Sequence, residues 1–162
     1  LVTAPSVMRD GDRWRMWYVS GYRWEPGPDG RPRSWYRIGH AESEDGIAWR
    51  SDGRVCIDHE HPGERNISRT CVRREGDLYR AWYSFAGDAP YRLGYAESQD
   101  GYTWERADDA IALTGPEQDW DRHSRAYPWI VDLGGGRRGM LYCGNDLGRE
   151  GFGLALEETA AG

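Results

Sequence analysis

The sequence contains no lysine. All 21 of its basic residues are arginines, and with 27 aspartates and glutamates the 162-residue chain carries a net charge of −6. An acidic chain with dispersed arginines is poorly suited to bind nucleic acid or anionic membranes, so we expect neither as a partner. The chain also lacks any apolar run near the ~18 residues that a membrane-spanning helix needs. It shows no signal peptide, which favours a cytoplasmic location.

Cysteine and histidine are scarce as well. The three cysteines, Cys56, Cys71 and Cys143, lack a metal-binding spacing, and a lone cysteine in a strand usually acts as a small buried apolar residue. His59 and His61 could ligate a metal ion, but no third and fourth ligand follow at a known spacing. Walker and dinucleotide-binding glycine patterns are absent from the sequence. We therefore predict no metal and no cofactor.

Tryptophan, tyrosine and glycine are abundant. Nine Trp and ten Tyr stand against two Phe, and 22 Gly and eight Pro supply turn residues. Trp and Tyr combine a large apolar area with a polar group, which suits half-buried strands and the stacking of sugars. Frequent turn residues favour many short strands over helices.

One aromatic pattern occurs nearly three times along the chain. Residues 13–18 and 36–49 read RWRMWY and YRIGHAESEDGIAW, and residues 78–83 and 91–104 read LYRAWY and YRLGYAESQDGYTW. A fainter copy runs through residues 139–142 and 151–155. A period of roughly 55 to 65 residues, built from short aromatic strands, is typical of stacked β-modules and above all of propeller blades.

We predict an all-β chain of about three β-propeller blades, at residues 1–54, 55–112 and 113–162. Each blade is expected to hold four antiparallel strands, with the fourth at residues 48–51 and 103–107 and none in the last blade. Closed propellers have about four to eight blades, so three blades alone leave two apolar faces open. We therefore expect a homo-oligomer, with a homodimer closing a ring, unless the chain is a piece of a longer propeller.

The pattern YRIGxAESxDGxxW, preceded by RMWY and followed by MLYCGNDLGREGFGLA at residues 140–155, resembles the five-bladed β-propeller glycosidase superfamily. That superfamily includes glycoside hydrolase families 32, 43, 68 and 130. The resemblance covers nearly the whole chain and about the last three blades of such proteins. It implies a carbohydrate ligand in a central funnel and, for an enzyme, acid–base attack on a glycosidic bond.

Strand direction in a propeller sorts the connections between two ends of the blades. The Ser-x-Asp-Gly turns at residues 43–46 and 98–101 lie at one end, where Asp and Gly supply local hydrogen bonds and positive φ, so we predict a folding role for them. Long charged loops at residues 21–34, 56–69 and 114–127 collect at the opposite end. Long loops on a rigid scaffold usually carry binding function, so we expect the site there.

Glycoside hydrolysis generally needs two carboxyl groups about 5 to 9.5 Å apart. The resemblance implies carboxylates where the first strands of the blades begin, but this chain has no acidic residue there, and His123 stands where relatives carry Glu. A catalytic pair could instead combine Asp119 or Asp121 with Glu60 or Glu64, of which we favour Glu64. The alternative is that these are solvated loop charges.

Several other loop residues are candidates for binding a sugar. Arg69 and Arg125 are expected at equivalent places facing the funnel, where they could hold a carboxylate, a phosphate or sugar hydroxyls, or could instead pair with nearby acids. Trp24, Trp120 and Tyr127 could stack on sugar rings. His123 and Asn145 complete the predicted binding set.

The sequence leaves three functions open. The first is a carbohydrate-active module that resembles a glycoside hydrolase and binds sugar in the funnel. The second is a non-catalytic, lectin-like sugar-binding propeller. The third is a partial propeller that functions only when further blades complete it. Fold analogy alone points to sugar as the ligand, and one fold hosts many functions.

Overall fold

The computed structural model describes residues 1–114 and 118–157, which form an eight-stranded sheet and a three-stranded sheet. The eight-stranded sheet consists of two antiparallel four-stranded modules joined by one parallel pairing between Tyr36 and Asn66. Module 1 contains β1 (Val2–Asp10), β2 (Arg13–Pro26), β3 (Pro32–Ser43) and β4 (Val55–Ile57). Module 2 contains β5 (Glu64–Glu75), β6 (Leu78–Gly87), β7 (Arg92–Ser98) and β8 (Glu105–Arg106), followed by a short 3-10 helix at Asp108–Ala110. Module 3 contains β9 (Ala126–Gly134), β10 (Arg137–Cys143), the helical turn α1 (Asn145–Gly148) and β11 (Phe152–Leu156).

The all-β prediction is confirmed, and two local expectations are corrected. The fourth strand of module 1 lies at Val55–Ile57 rather than at 48–51, where only Arg50 forms an isolated bridge with Glu42. A second turn at residues 52–54, with Gly53 at φ 78° and Asp52 accepting from the Arg54 N–H, delays the strand pairing. Residues 21–34 are mostly a hairpin rather than an irregular loop, because β2 and β3 stay paired out to Pro26 and Pro32.

Each module begins its first strand with the same backbone irregularity. The register of β1, β5 and β9 slips against the next strand at Ala4, Arg69 and Tyr127, which have φ of 47°, 49° and 59°. A left-handed conformation costs a non-glycine residue roughly 1–2 kcal/mol, so its recurrence at three equivalent positions marks a built feature of the fold. We call these three residues the bulge residues.

A tyrosine lies opposite each bulge. The register of the second strand places Tyr18, Tyr83 and Tyr142 there, and each is paired with a glycine of the third strand: Gly39, Gly94 and Gly153. A Cβ atom on any of these glycines would contact the ring of its tyrosine. Glycine is therefore needed here for the close approach of the ring, and the sequence pairs WY…IG, WY…LG and LY…FG record this contact.

The Ser-x-Asp-Gly turns have the predicted structural role. Asp45 Oδ1 accepts the backbone N–H groups of Ile47 and Ala48, both at 2.8 Å, and Ser43 Oγ accepts that of Gly46 at 2.9 Å. Asp100 makes the equivalent bonds to Tyr102 and Thr103 at 2.7 and 2.8 Å. Both carboxylates are therefore hydrogen-bonded within their own turns, and we assign them a structural role rather than a ligand-binding one.

The modules pack through buried apolar faces and one repeated hydrogen bond. Trp17, Ile38, Ile67 and Tyr83 are buried in the core shared by modules 1 and 2, and Cys71, Ile130 and Met140 form the core between modules 2 and 3. The Val72 N–H donates to Ser6 Oγ at 3.0 Å, and the Ile130 N–H donates to Cys71 Sγ at 3.5 Å. Ser6 and Cys71 occupy equivalent positions, so each module is attached to the next in the same way.

Module 3 exposes the face that would carry the next attachment. Trp129 is the equivalent of Ser6 and Cys71, and it pairs across the sheet with Leu141 and then Leu154. These three side chains are 54%, 38% and 49% exposed, and Phe152 and Leu156 extend the patch. The corresponding face of module 2 is covered by module 3. A contiguous apolar stripe of this kind usually marks an interaction surface.

Candidate functional site at the loop end

Strand directions define two ends of the module array. The loop end is where the first strand of each module begins, and it collects the connections at residues 27–31, 58–63, 88–91, 111–114, 118–125 and 144–151. The turn end holds the remaining connections, at residues 11–12, 44–54, 76–77, 99–104 and 135–136. The bulge residues lie at the loop end, as do the predicted site residues.

The structure brings two predicted binding residues together at the bulges. The guanidinium of Arg69 lies 4.6 Å from the ring centroid of Tyr127. The ring of Tyr91 also packs against that of Tyr127, with the two ring centroids 5.7 Å apart. The Tyr127 N–H donates to Ser84 Oγ at 2.6 Å, which fixes the strained backbone between modules 2 and 3. We call Arg69, Tyr127 and Tyr91 the bulge cluster.

The bulge cluster offers hydrogen-bond donors rather than a base. Burial, and then the neighbouring Tyr91 phenol, raise the pKa of Tyr127 to about 12, so its hydroxyl keeps its proton at neutral pH. Arg69 is exposed and charged. A cation held over an aromatic ring is stabilised by the ring quadrupole, which steadies the guanidinium without consuming its N–H groups.

Two buried hydroxyls flank Arg69. Among the described residues, Ser68 Oγ and Thr70 Oγ1 have no hydrogen-bond partner, although the two residues are only 6% and 5% exposed. Buried polar groups are normally satisfied, so an unpaired hydroxyl needs a reason such as a ligand or water. No sequence signal identified these two residues, because their significance depends on the bulge between them.

The predicted equivalence of Arg69 and Arg125 is wrong. The bulge register makes Tyr127 the equivalent of Arg69, and Arg125 lies one residue before β9. Its Nε donates to Asp121 Oδ2 at 3.2 Å, and its backbone N–H donates to the Tyr91 carbonyl at 3.1 Å. Arg125 therefore holds the loop before β9 in place, and its charge is balanced by that of Asp121.

Asn145 is a structural centre for that loop. Its Nδ2 donates to the Asp119 carbonyl and to Glu150 Oε2, both at 2.8 Å, and its Oδ1 accepts the N–H groups of His123 and Ser124 at 2.9 and 3.0 Å. These four bonds use the whole hydrogen-bonding capacity of the amide. Asn145 is 4% exposed, so it positions the loop rather than a ligand, while the His123 side chain is exposed above it.

Asp121 and Trp120 are also engaged in this local packing. Burial opposes ionisation of Asp121, but the Gln118 N–H at 2.9 Å, the Tyr142 hydroxyl at 2.9 Å and Arg125 together hold its pKa below the usual value. Trp120 stacks on Tyr142 with ring centroids 5.7 Å apart and an interplanar angle of 26°. One face of Trp120 is therefore taken by the protein.

Glu64 has strong partners of its own. Both of its carboxylate oxygens accept hydrogen bonds from Arg106 at 2.8 Å, and both side chains are buried. Burial opposes ionisation, but the Arg106 hydrogen bonds outweigh it and lower the pKa of Glu64. A general acid needs a raised pKa, so this environment holds Glu64 in the opposite state.

The remaining loop-end candidates differ in accessibility. The side chain of Asp119 is 93% exposed and lies 3.1 Å from Arg122, so among the three predicted catalytic carboxylates it is the accessible one. Trp24 is half-exposed near the tip of the module 1 hairpin, with its ring edge-on to Tyr36 at 6.2 Å. It therefore keeps a face free for stacking.

No metal centre is visible in the described part of the chain. His59 Nε2 lies 2.9 Å from the Tyr36 carbonyl, whereas His61 Nε2 lies 3.8 Å from Asp108, so the two imidazoles have separate partners. Within residues 1–114 and 118–157, no three His, Cys, Asp or Glu side chains are grouped so that they could hold a metal ion.

The turn end carries a larger opening than the sequence led us to expect. A cavity of about 980 Å³ lies between modules 1 and 2, and its lining includes Arg13, His40, Glu42, Asp52, Arg54 and Tyr102. Many of these groups satisfy one another: Glu42 accepts from Arg13 at 3.0 Å and from the Tyr102 hydroxyl, and Arg54 pairs with Asp52 at 3.3 Å. These pairs leave the opening with few free donors, and we place the site at the loop end.

Sequence comparison finds relatives that are described as uncharacterized. No protein-family model matches the chain. The uncharacterized proteins MT1551 and Rv1502, from two strains of Mycobacterium tuberculosis, are each 38% identical to it over 155 residues. That match covers 96% of this chain, which spans about half the length of these relatives.

Structural comparison finds glycoside hydrolases. The family 117 glycoside hydrolase Zg3597 of Zobellia galactanivorans superposes with a TM-score of 0.75 and 18% identity, over 98% of this chain and 52% of its own. A Bombyx mori family 32 β-fructofuranosidase superposes with a TM-score of 0.68 and 16% identity, over 94% of this chain and 33% of its own. The predicted resemblance is confirmed at the level of the fold, which the chain shares with these glycoside hydrolases. No helix in the described residues is long and apolar enough to cross a bilayer.

Proposed function

We propose that the protein is a carbohydrate-binding β-propeller module whose ligand lies at the loop end, on the bulge cluster and beside Trp24. The observation that carries this proposal is the strained bulge at Arg69 and Tyr127. Non-glycine residues in left-handed conformations persist where the surroundings enforce them, and they cluster at ligand sites. An accessible guanidinium, a protonated phenol and a half-free indole are the groups that hydrogen-bond and stack on a sugar.

The fold supports the same ligand class. The solved structures that resemble the chain are glycoside hydrolases, and the Bombyx mori enzyme was determined in complex with sucrose. The three described modules present their bulge residues at one end, in equivalent positions. Groups placed equivalently around a common end converge on one ligand better than groups scattered along loops.

Glycan-array screening followed by calorimetry tests this proposal. We expect saturable binding that is weakened at least about tenfold by Tyr127→Ala and several-fold by Trp24→Ala, since aromatic stacking contributes on the order of 1 kcal/mol. Ile47→Ala is the control, because Ile47 is also an exposed large apolar side chain but lies at the turn end. Equal affinity of wild type and both loop-end variants, or no glycan bound by the wild type, would contradict the proposal.

A second candidate function is hydrolysis of a glycosidic bond. The accessible carboxylate of Asp119 favours it, with Asp121 or Glu64 as the proposed second carboxyl group. Turnover of aryl-glycosides should then vanish in Asp119→Asn and persist in Asp77→Asn, which removes an exposed carboxylate at the turn end. Turnover that survives Asp119→Asn would remove Asp119 from this role.

We also propose that the module 3 face is covered by a second copy of the chain. The stripe of Trp129, Leu141 and Leu154 is too apolar to stay in water, and the module 1 residue Val7, the equivalent of Val72 and Ile130, is exposed at the other end of the array. Light scattering should show a dimer that Leu154→Glu converts to a monomer. A wild-type monomer at micromolar concentration would contradict self-association.

A further inference from the structure

We infer that the ligand of the bulge cluster is an acidic sugar, one whose carboxylate is bound by Arg69. This inference rests on the proposed carbohydrate-binding function and adds the chemical class of the ligand.

The first argument is that the charge of Arg69 is uncompensated. Several loop-end arginines are paired: Arg125 with Asp121, Arg106 with Glu64 and Asp108, and Arg65 with Asp88 at 2.6 Å. Arg92, at the start of β7, has no ion pair with a described residue but lies outside the bulge cluster. Arg69 has no carboxylate within 4.0 Å among the described residues. In a chain of net charge −6, an exposed arginine kept free of acids is poised for an external anion.

The second argument is that the backbone presents Arg69 rigidly. Its left-handed conformation is enforced by the bulge, and the residues on either side are buried. The ring of Tyr127 supports the flat face of the guanidinium, which leaves the N–H edge for a planar partner. A carboxylate matches that edge with two parallel hydrogen bonds.

The third argument concerns the number of charges and donors. Arg69 is the one guanidinium within the bulge cluster, which suits a monoanion, whereas a phosphate dianion would call for a second cation there, and Arg125 is already neutralised by Asp121. The Tyr127 phenol adds a neutral donor of the kind that holds sugar oxygens. The set therefore fits a uronic acid better than a phosphosugar.

Calorimetry with matched ligand pairs tests the inference. The probes are trisaccharides of galacturonic, glucuronic and mannuronic acid and their methyl esters, which keep the sugar skeleton and lose the charge. Charge-assisted hydrogen bonds are roughly twice as strong as neutral ones, so at least one acid should bind about tenfold or more tighter than its ester. The preference should shrink as salt is raised.

Variants assign the preference to Arg69. Arg69→Gln should bring the acid-to-ester ratio close to one, and Arg69→Lys should restore part of it. Arg137→Gln is the matched control, since it removes an exposed arginine at the turn end and should keep the full preference. Acetate at constant ionic strength should not compete, because the sugar ring is needed as well as the carboxylate.

Each outcome decides the question. Equal binding of acid and ester overturns the inference and leaves the proposed sugar site standing. Tighter binding of phosphorylated than of uronic sugars, or full competition by acetate, also overturns it. If no saccharide binds the wild type, both the inference and the proposed function fail.

Discussion

The two ends of the module array both carry arginines and hydrogen-bonding side chains, but these groups have partners within the protein at the turn end and are left free around Arg69 at the loop end. At the turn end, Asp45 and Asp100 are satisfied by their own turns, and the buried guanidinium of Arg15 reaches from module 1 to the Asp100 carbonyl at 2.8 Å. At the loop end, Arg69 is left without an acid, on a strained backbone between two unpaired hydroxyls. The contrast indicates that stability is concentrated at the turn end, and that the loop end gives up stability in exchange for binding groups.

The largest effect is expected from adding one methyl group at the turn end. Gly101 has φ 73°, and a Cβ there would lie 2.6 Å from Nη1 of Arg15, whose buried side chain cannot move aside without losing its partners. We expect Gly101→Ala to lower the free energy of unfolding by about 3 kcal/mol in urea titrations. Gly53→Ala shares the positive φ but meets no atom within 4 Å, so it should cost about 1 kcal/mol. Equal losses would disprove the role given to Arg15.

The next effect concerns acid sensitivity at the same end. Burial, and then the adjacent Arg15 charge, lower the pKa of His40 to about 4 from a value of 6.5 in the unfolded chain. As the pH falls from about 7 to about 5, the unfolded state takes up this proton first, so the free energy of unfolding should drop by about 2 kcal/mol. His40→Gln keeps an acceptor for Arg15 and should remove most of this dependence. An unchanged pH profile in that variant would assign the loss to other groups.

A smaller effect, of opposite sign, is expected at the loop end. Arg69→Gly relieves the left-handed strain and should raise the free energy of unfolding by about 1 kcal/mol, while the preference for an acidic sugar is lost. Arg69→Asn should be close to neutral for stability, since asparagine tolerates this conformation. Thermal unfolding and calorimetry on the same samples check both properties. A loss of stability in Arg69→Gly would mean that the arginine holds the fold rather than a ligand.

The smallest effect is expected at Asp119. Its side chain is almost fully exposed, and its contact with Arg122 is a surface ion pair. Asp119→Asn should therefore change the free energy of unfolding by less than about 0.5 kcal/mol. A larger loss would show that the loop before β9 depends on this carboxylate.

The repeats predicted the fold well because they report local chemistry. Short aromatic strands separated by turn residues determine antiparallel modules, and the Ser-x-Asp-Gly turns form from bonds within five residues. The fourth strand of module 1 was displaced because a second turn at Gly53 intervenes, and that turn has no counterpart in module 2. Strand pairing was thus predictable where the repeats agree and not where they differ.

The site was harder to predict, since most of its candidates depend on tertiary partners. The sequence around Glu64 does not predict its partner Arg106, which is 42 residues away. Likewise, the His123 N–H donates to Asn145 Oδ1, 22 residues along the chain. The pairing of Arg69 with Tyr127 was missed because aligning the two Ser-Arg pairs of the sequence makes Arg125 the equivalent of Arg69, whereas the strand register makes it Tyr127, two residues further on. The residue types of the loops were enough to predict hydrogen-bonding and stacking groups at the loop end. Which residues provide them depends on the strand register, which the sequence did not determine.

The tyrosine opposite each bulge has a consequence for how such chains diversify. Its ring rests on a glycine in every module, but its hydroxyl meets a different partner each time: Ser51, Asp108 or Asp121. The three modules therefore share the backbone conformation of the bulge, while the side chain at the bulge differs between them: Ala4, Arg69 and Tyr127. Exchanging the bulge residue of one module for that of another should therefore change which ligand is bound and leave the backbone fold unchanged.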